Sequence, residues 1–152
     1  MNITFKPATH AEADLLVGFM RALYAHDRIA FDEQTALEAL AQLVGDESLG
    51  RVWLIEVDGA ATGYVVLTYG FSLEYHGRDA LIDELFVKEE WRGRGLGLRA
   101  LEFVAQVCRA RGIAAVHLAV EHTNARAQTV YQRFGFEAHE RYFMTKWLHR
   151  ED

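Results

Sequence analysis

Asp83-Glu84-Leu85-Phe86-Val87-Lys88-Glu89-Glu90-Trp91-Arg92-Gly93-Arg94-Gly95-Leu96-Gly97 is the stretch whose reading decides the fold. An apolar strand runs into a loop with three alternating glycines, and helical periodicity starts directly behind it. Leu101, Val104, Ala105 and Cys108 form one helical face; Arg99, Glu102, Gln106 and Arg109 form the other. Such a loop lets backbone N–H groups converge, unobstructed by Cβ atoms, at the positive end of a helix dipole. It is a cradle for phosphate or pyrophosphate, and Arg92, Arg94 and Arg99 add positive charge.

Working outward, Asn2–Lys6 alternates as a short strand, and Thr9 with Glu12 forms a capping box ahead of Leu16, Phe19, Met20 and Leu23 at helical spacing. A second helix is predicted over Asp32–Leu43, ended by Gly45. Arg51–Val57 and Thr62–Thr68 read as strands joined by Asp58-Gly59, a strong hairpin signal, and a further strand is predicted at Ala80–Val87. Gly112 closes the helix behind the glycine loop. Ile113–Val120 is a strand, Ala125–Phe134 a helix stopped by Gly135, and Phe136–Leu148 is expected to supply one or two closing strands. The expected class is α/β: a mixed, mostly antiparallel sheet of about six or seven strands flanked by about four helices. The 152 residues make one domain over 1–152, with no repeat or linker.

Composition narrows the function. With 51% hydrophobic and 25% charged residues, the chain folds. Its net charge of −6 argues against general binding of nucleic acid or an anionic membrane. One cysteine builds no disulfide framework, the histidines lack H-x-x-x-H or H-E-x-x-H spacing so no metal site is expected, and no signal peptide or membrane-spanning run is visible. These features read as a reduced, soluble, cytoplasmic protein.

Two nucleotide readings compete at the loop. A Walker loop is excluded because G-x-x-x-x-G-K-[ST] is absent. Gly95-x-Gly97-x-x-Ala100, with Glu121 about 20 residues on, matches a dinucleotide fingerprint. Against it, five residues separate strand from glycines, a hairpin precedes that strand, and too little chain follows for the doubled arrangement.

Arg92-x-x-Gly95-x-Gly97 resembles the Q/R-x-x-G-x-G/A signature of the GNAT superfamily of acyl-CoA-dependent N-acetyltransferases. Asn124, Ala127, Tyr131 and Gly135-Phe136 resemble its second motif, and the element order from Ile3 to Leu148 fits as well. The resemblance implies acetyl-CoA as co-substrate. Its pyrophosphate would lie on backbone amides of Arg92, Gly93, Arg94, Gly95, Leu96 and Gly97. Its pantetheine arm would lie along Leu85, Phe86 and Val87, where two strands splay, near Asn124 and Ala127. The general acid falls at Tyr131. In polyamine acetyltransferases of the family the glutamate implicated as base sits where Asp83 falls, and Glu84 fits a neighbouring carboxylate that helps hold substrate.

From the residues alone, Asp83 and Glu84 are consecutive in a strand and so are expected on opposite faces. Buried carboxylates are costly unless paired or solvated in a cleft, which makes at least one a functional candidate; an arginine partner, Arg78 or Arg141, is the plain alternative. Cys108 belongs to the core face of its helix and Asn124 is an N-cap candidate. Ala119 stands where N-terminal protein acetyltransferases of the family carry a glutamate, which argues against that activity. Tyr24, Asp27, Asp32, Glu33, Glu74 and Tyr75 are the expected acceptor-side residues, suited to a small cationic amine. Rival readings are a protein or peptide acceptor and a non-catalytic acyl-CoA sensor. A homodimer is the family's common habit.

Overall fold

The computed structural model describes residues 1–149. They form two compact units, Met1–Ala119 and a second beginning at Val120.

The first unit is built on a five-stranded sheet in the order β1-β2-β3-β4-β5. Its strands are β1 (Ile3–Pro7), β2 (Gly50–Val57), β3 (Ala60–Ser72), β4 (Gly77–Val87) and β5 (Ala115–Leu118). Pairing is antiparallel from β1 to β4, and β5 runs parallel to β4. The Asp58-Gly59 hairpin forms as expected: both residues have positive φ, 50° and 85°, the signature of a type I′ turn.

Three helices cover the two faces. Helices α1 (Ala13–His26) and α2 (Glu33–Gly45) pack on one face, where Leu16, Val17, Phe19 and Leu40 meet Val52, Leu54, Tyr64, Val66 and Phe86. The capping box at Thr9 and Glu12 forms, but on a single 3-10 turn at His10–Glu12 that precedes α1. Helix α3 (Leu96–Ala110) packs on the other face, with Phe103 stacked on Phe5 at 4.3 Å and edge-on to Trp53 at 5.1 Å. Its buried stripe is Leu96, Ala100, Leu101, Val104 and Cys108, so Cys108 is a core residue. Among the described residues no helix is long and apolar enough to cross a membrane.

The second unit holds α4 (Ala125–Phe134), bounded as the sequence predicts. The side chain of Asn124 accepts from the Ala127 amide at 3.1 Å, and Gly135 closes the helix at φ 115°. The six or seven strands expected are five among the described residues, because Phe136–Leu148 forms no strand. A strand exists only where a ladder satisfies its backbone. This stretch has the propensity without a partner, and Tyr142, Phe143 and Met144 are consecutive apolar residues rather than an alternating set. The two central strands also run longer than predicted, β3 to Ser72 and β4 from Gly77.

Gly63 marks how tightly the central strands approach. It pairs with Val87 and Ile55, and a Cβ there would sit 2.0 Å from the Phe86 carbonyl oxygen. Gly63→Ala is therefore expected to cost about 2 kcal/mol or more by forcing strands apart, measured as a lower midpoint in denaturant unfolding. Gly59→Ala, where no atom lies within 4 Å, should cost less.

Candidate active site

The register of β3 against β4 breaks at one place. Val66 pairs with Glu84 and Leu67 with Ile82, leaving Asp83 as an extra residue in a β-bulge. Regular alternation would send Asp83 and Glu84 to opposite faces, as the sequence suggests. The bulge cancels one step, so both carboxylates face α1 and α2 and line one cavity of about 120 Å³. Tyr24, Tyr64, Met20 and Leu40 share that lining, and among the described residues no lysine or arginine belongs to it.

Glu84 is held at both oxygens. The Tyr64 hydroxyl donates to Oε1 at 2.8 Å, and the Tyr24 hydroxyl donates to Oε2 in a short hydrogen bond. Phenols hold Glu84; Arg78, one of the two arginines named as the alternative partner, instead donates to the Arg111 carbonyl at 3.4 Å. Tyr64 was not singled out from sequence. Its signal is a tyrosine in an otherwise apolar central strand, 1% exposed, which must find a partner for its hydroxyl.

Burial pushes the Glu84 carboxyl above the ordinary carboxylate range; the two phenol hydrogen bonds oppose this, and the charges of Asp83 and Asp27 add to it. Desolvation alone raises Asp83. Burial next to these carboxylates pushes both tyrosine hydroxyls upward, so they stay protonated donors.

Of the acceptor-side residues expected from sequence, Tyr24 reaches Glu84 and Asp27 acts on it through charge. Asp32 caps α2 by accepting from the Thr35 amide at 2.9 Å, and Glu33 pairs with Arg21 at 3.0 Å; both are helix-end carboxylates. Glu74 and Tyr75 lie in the β3–β4 turn and are not among the cavity-lining residues. The Tyr75 ring instead packs on His117, centroids 4.5 Å apart, and the His117 imidazole lies 3.1 Å from Asp79.

Beyond the bulge β4 leads to the glycine loop. Parallel pairing with β5 ends at Ile82 and Leu118, so β4 from Asp83 to Val87 continues past the last rung on that side. The Phe86 side chain is buried in the core under α1 and α2. Arg92 donates from Nε to the Val87 carbonyl at 2.8 Å and lies over the Phe86 ring, tying loop to strand end. Gly93 and Gly95 adopt φ of 77° and 79°, left-handed turns that favour glycine. Gly95 is the N-cap of α3, with no side-chain cap, so the first-turn N–H groups of that helix face the loop. Leu96 is buried, and a Cβ at Gly97 would meet nothing within 4 Å. Neither backbone strain nor packing requires glycine at 97; what it preserves is open space before a helix N-terminus, as a bound pyrophosphate needs.

Residues 17–136 match the model of the Acetyltransferase (GNAT) family. The chain belongs to this family. It is an acetyl-CoA-dependent N-acetyltransferase. The chain is 26% identical to thialysine N-epsilon-acetyltransferase of Bos taurus, over 88% of its own length and 83% of the relative's. It is 31% identical to an L-methionine sulfoximine/L-methionine sulfone acetyltransferase of Pseudomonas paraeruginosa, over 73% and 59% of the two chains. Among solved structures, an integron cassette protein from the mobile metagenome of Cole Harbour Salt Marsh superposes with a TM-score of 0.83. That protein is 34% identical, over 97% of this chain and 91% of that one.

The raised Asp83 carboxyl has a consequence for stability. Its folded-state pKa lies above the unfolded one, so folding favours the protonated form. That contribution is complete below the ordinary carboxylate range and is lost as pH rises through the raised value. Asp83→Asn, which cannot ionise, should raise the melting temperature at neutral pH. The gain should vanish at about pH 3, where wild-type Asp83 is itself protonated. Paired thermal melts at the two pH values check this.

Proposed function

We propose that this N-acetyltransferase acts on the amine of a small cationic molecule, with Asp83 as general base, Glu84 as the anchor for the acceptor's ammonium group and Tyr131 as general acid. The observation that carries the proposal is the bulge: two carboxylates on one face of β4, at one cavity with no lining cation among the described residues. Such a cavity attracts and concentrates an ammonium group.

The two carboxylates differ in what else they hold. Glu84 already accepts two phenol hydrogen bonds, which fix its position and reduce its readiness to take a proton. Asp83 stays solvent-accessible while lining the same cavity, and desolvation raises its affinity for a proton. Glu84 therefore binds the charge, and Asp83 removes the proton that an amine must lose before it attacks.

Acetyl-CoA supplies the activated acetyl thioester. The first-turn amides of α3 and the loop Arg92–Gly97 would hold its pyrophosphate, and Leu85, Phe86 and Val87 would offer backbone to its pantetheine arm. Asn124 and Ala127 share a cap hydrogen bond at the start of α4. Tyr131 lies on the same helix, edge-on to Phe136 with centroids 6.0 Å apart. By its place in the family motif Tyr131 would protonate the departing thiolate. Relatives named for thialysine and for methionine sulfoximine support a small acceptor, and Ala119 supports it against a protein N-terminus.

Free-thiol release from acetyl-CoA across diamines, polyamines, amino acids including thialysine, aminoglycosides and peptides tests the reading. Small cationic amines should react fastest, with an acceptor KM that rises with ionic strength; equal rates on neutral acceptors would overturn it. Asp83→Asn should lower kcat by about 100-fold or more, whereas Glu84→Gln should mainly raise the acceptor KM, about tenfold. Tyr131→Phe should lower kcat while acetyl-CoA still binds. Gly97→Val should raise the acetyl-CoA KM about tenfold without lowering the melting temperature, because it fills the cradle and disturbs no core.

A further inference from the structure

A second cavity, of about 280 Å³, lies on the opposite face of the sheet from Glu84 and at the other end of α3 from the glycine loop. It is lined by Arg51, Trp53, Tyr69, Val107, Ala110 and Arg111. Nothing in acetyl transfer uses it.

Three observations describe its chemistry. The Tyr69 hydroxyl is buried and has no hydrogen-bond partner, an expensive state for a group that is both donor and acceptor. Three guanidiniums, those of Arg111, Arg51 and Arg78, are close enough to act electrostatically on that hydroxyl, and Arg111 lies over its ring at 4.5 Å. This gathering of positive charge stands out in a chain of net charge −6. The remaining lining, Trp53, Val107 and Ala110, is apolar.

The arginines have capacity to spare. Arg51 pairs with Glu47, a carboxylate whose side chain is 75% exposed; such a surface pair contributes little and yields readily to a competing anion. Arg111 is exposed, so its guanidinium can turn from the ring face toward an incoming oxyanion. Arg78 donates to the Arg111 carbonyl and so braces this end of α3.

We propose that this cavity binds a small organic anion, a carboxylate or phosphate group carried on an apolar or aromatic body. Arg51 and Arg111 grip the oxyanion through charge-assisted hydrogen bonds, Tyr69 donates its unpartnered hydroxyl, and Trp53, Val107 and Ala110 receive the body. The site is separate from the acetyl-transfer site, so its ligand is neither the acceptor amine nor acetyl-CoA.

Isothermal titration of the purified protein at low salt with benzoate, phenyl phosphate and inorganic phosphate tests the proposal. At least one aryl anion should bind saturably at one site per chain, with unchanged affinity in saturating CoA. Which aryl anion binds tighter separates carboxylate from phosphate recognition. Arg111→Ala and Tyr69→Phe should each weaken binding about tenfold. Tyr69→Phe should melt no lower than wild type without anion, because the hydroxyl it removes makes no bond; Arg51→Lys, which keeps the charge but loses the fork, should also weaken binding. No saturable heat with either aryl anion would overturn the proposal, as would undiminished binding in Arg111→Ala and Tyr69→Phe. Inorganic phosphate binding as tightly as the aryl anions would overturn the apolar part of the site, and loss of binding in saturating CoA would return the ligand to the glycine loop.

Discussion

One extra residue in β4 brings two carboxylates to one face of the sheet. Opposite Val66 the strand carries two residues where the ladder allows one, and the second carboxylate is thereby turned to the face of the first. A bulge costs a ladder hydrogen bond and bends its strand. Here it sits in the sheet interior, where its effect is to put Asp83 beside Glu84 under α1 and α2. Burial raises both carboxyls, and the charge of Asp83 raises Glu84 further. The arrangement persists because two phenols from different elements, Tyr24 of α1 and Tyr64 of β3, satisfy one carboxylate from both sides.

The same strand then leads into the glycine loop. Downstream of Ile82 the rungs to β5 stop, leaving strand backbone beyond the last pair, and ten residues later, at Arg92, the chain enters the glycine loop. Arg92 closes this path by returning to the Val87 carbonyl. A strand anchored between β3 and the core thus presents carboxylates on one face, open backbone at its edge and a helix N-terminus at its end. This continuity explains why Gly63 must be glycine: any wider spacing between β3 and β4 would shift all three together.

What was legible in the sequence was what local physics decides. The Asp58-Gly59 turn, the caps at Asp32 and Asn124, the stop at Gly135 and the glycine loop follow from φ preferences and from short-range hydrogen bonds. They lie where the residues indicate. The helices follow from periodicity. The bulge does not, since it depends on which residue of β3 faces which of β4, a matter of register across the hairpin. Tyr64 was missed for the same reason: its partner is twenty positions away. Glu74 and Tyr75 are not among the residues lining the carboxylate cavity because β3 and β4 extend beyond their predicted ends. That carries the turn at least six residues past the Val66–Glu84 pair, about 20 Å along the strand at 3.3 Å per residue. The closing strands failed because β propensity in Phe136–Leu148 makes a strand only with a partner.

The central claim is that Asp83 and Glu84 share one face, so that the charge of Asp83 acts on Glu84. Carboxyl ¹³C resonances of selectively labelled protein, followed through an acid titration, measure this without reference to turnover. In the wild type the Glu84 carboxyl should titrate above the ordinary glutamate range, and in Asp83→Asn its midpoint should fall back toward that range. A Glu84 midpoint unmoved by Asp83→Asn would mean that the two carboxylates do not face one another, and would contradict the bulge-built site.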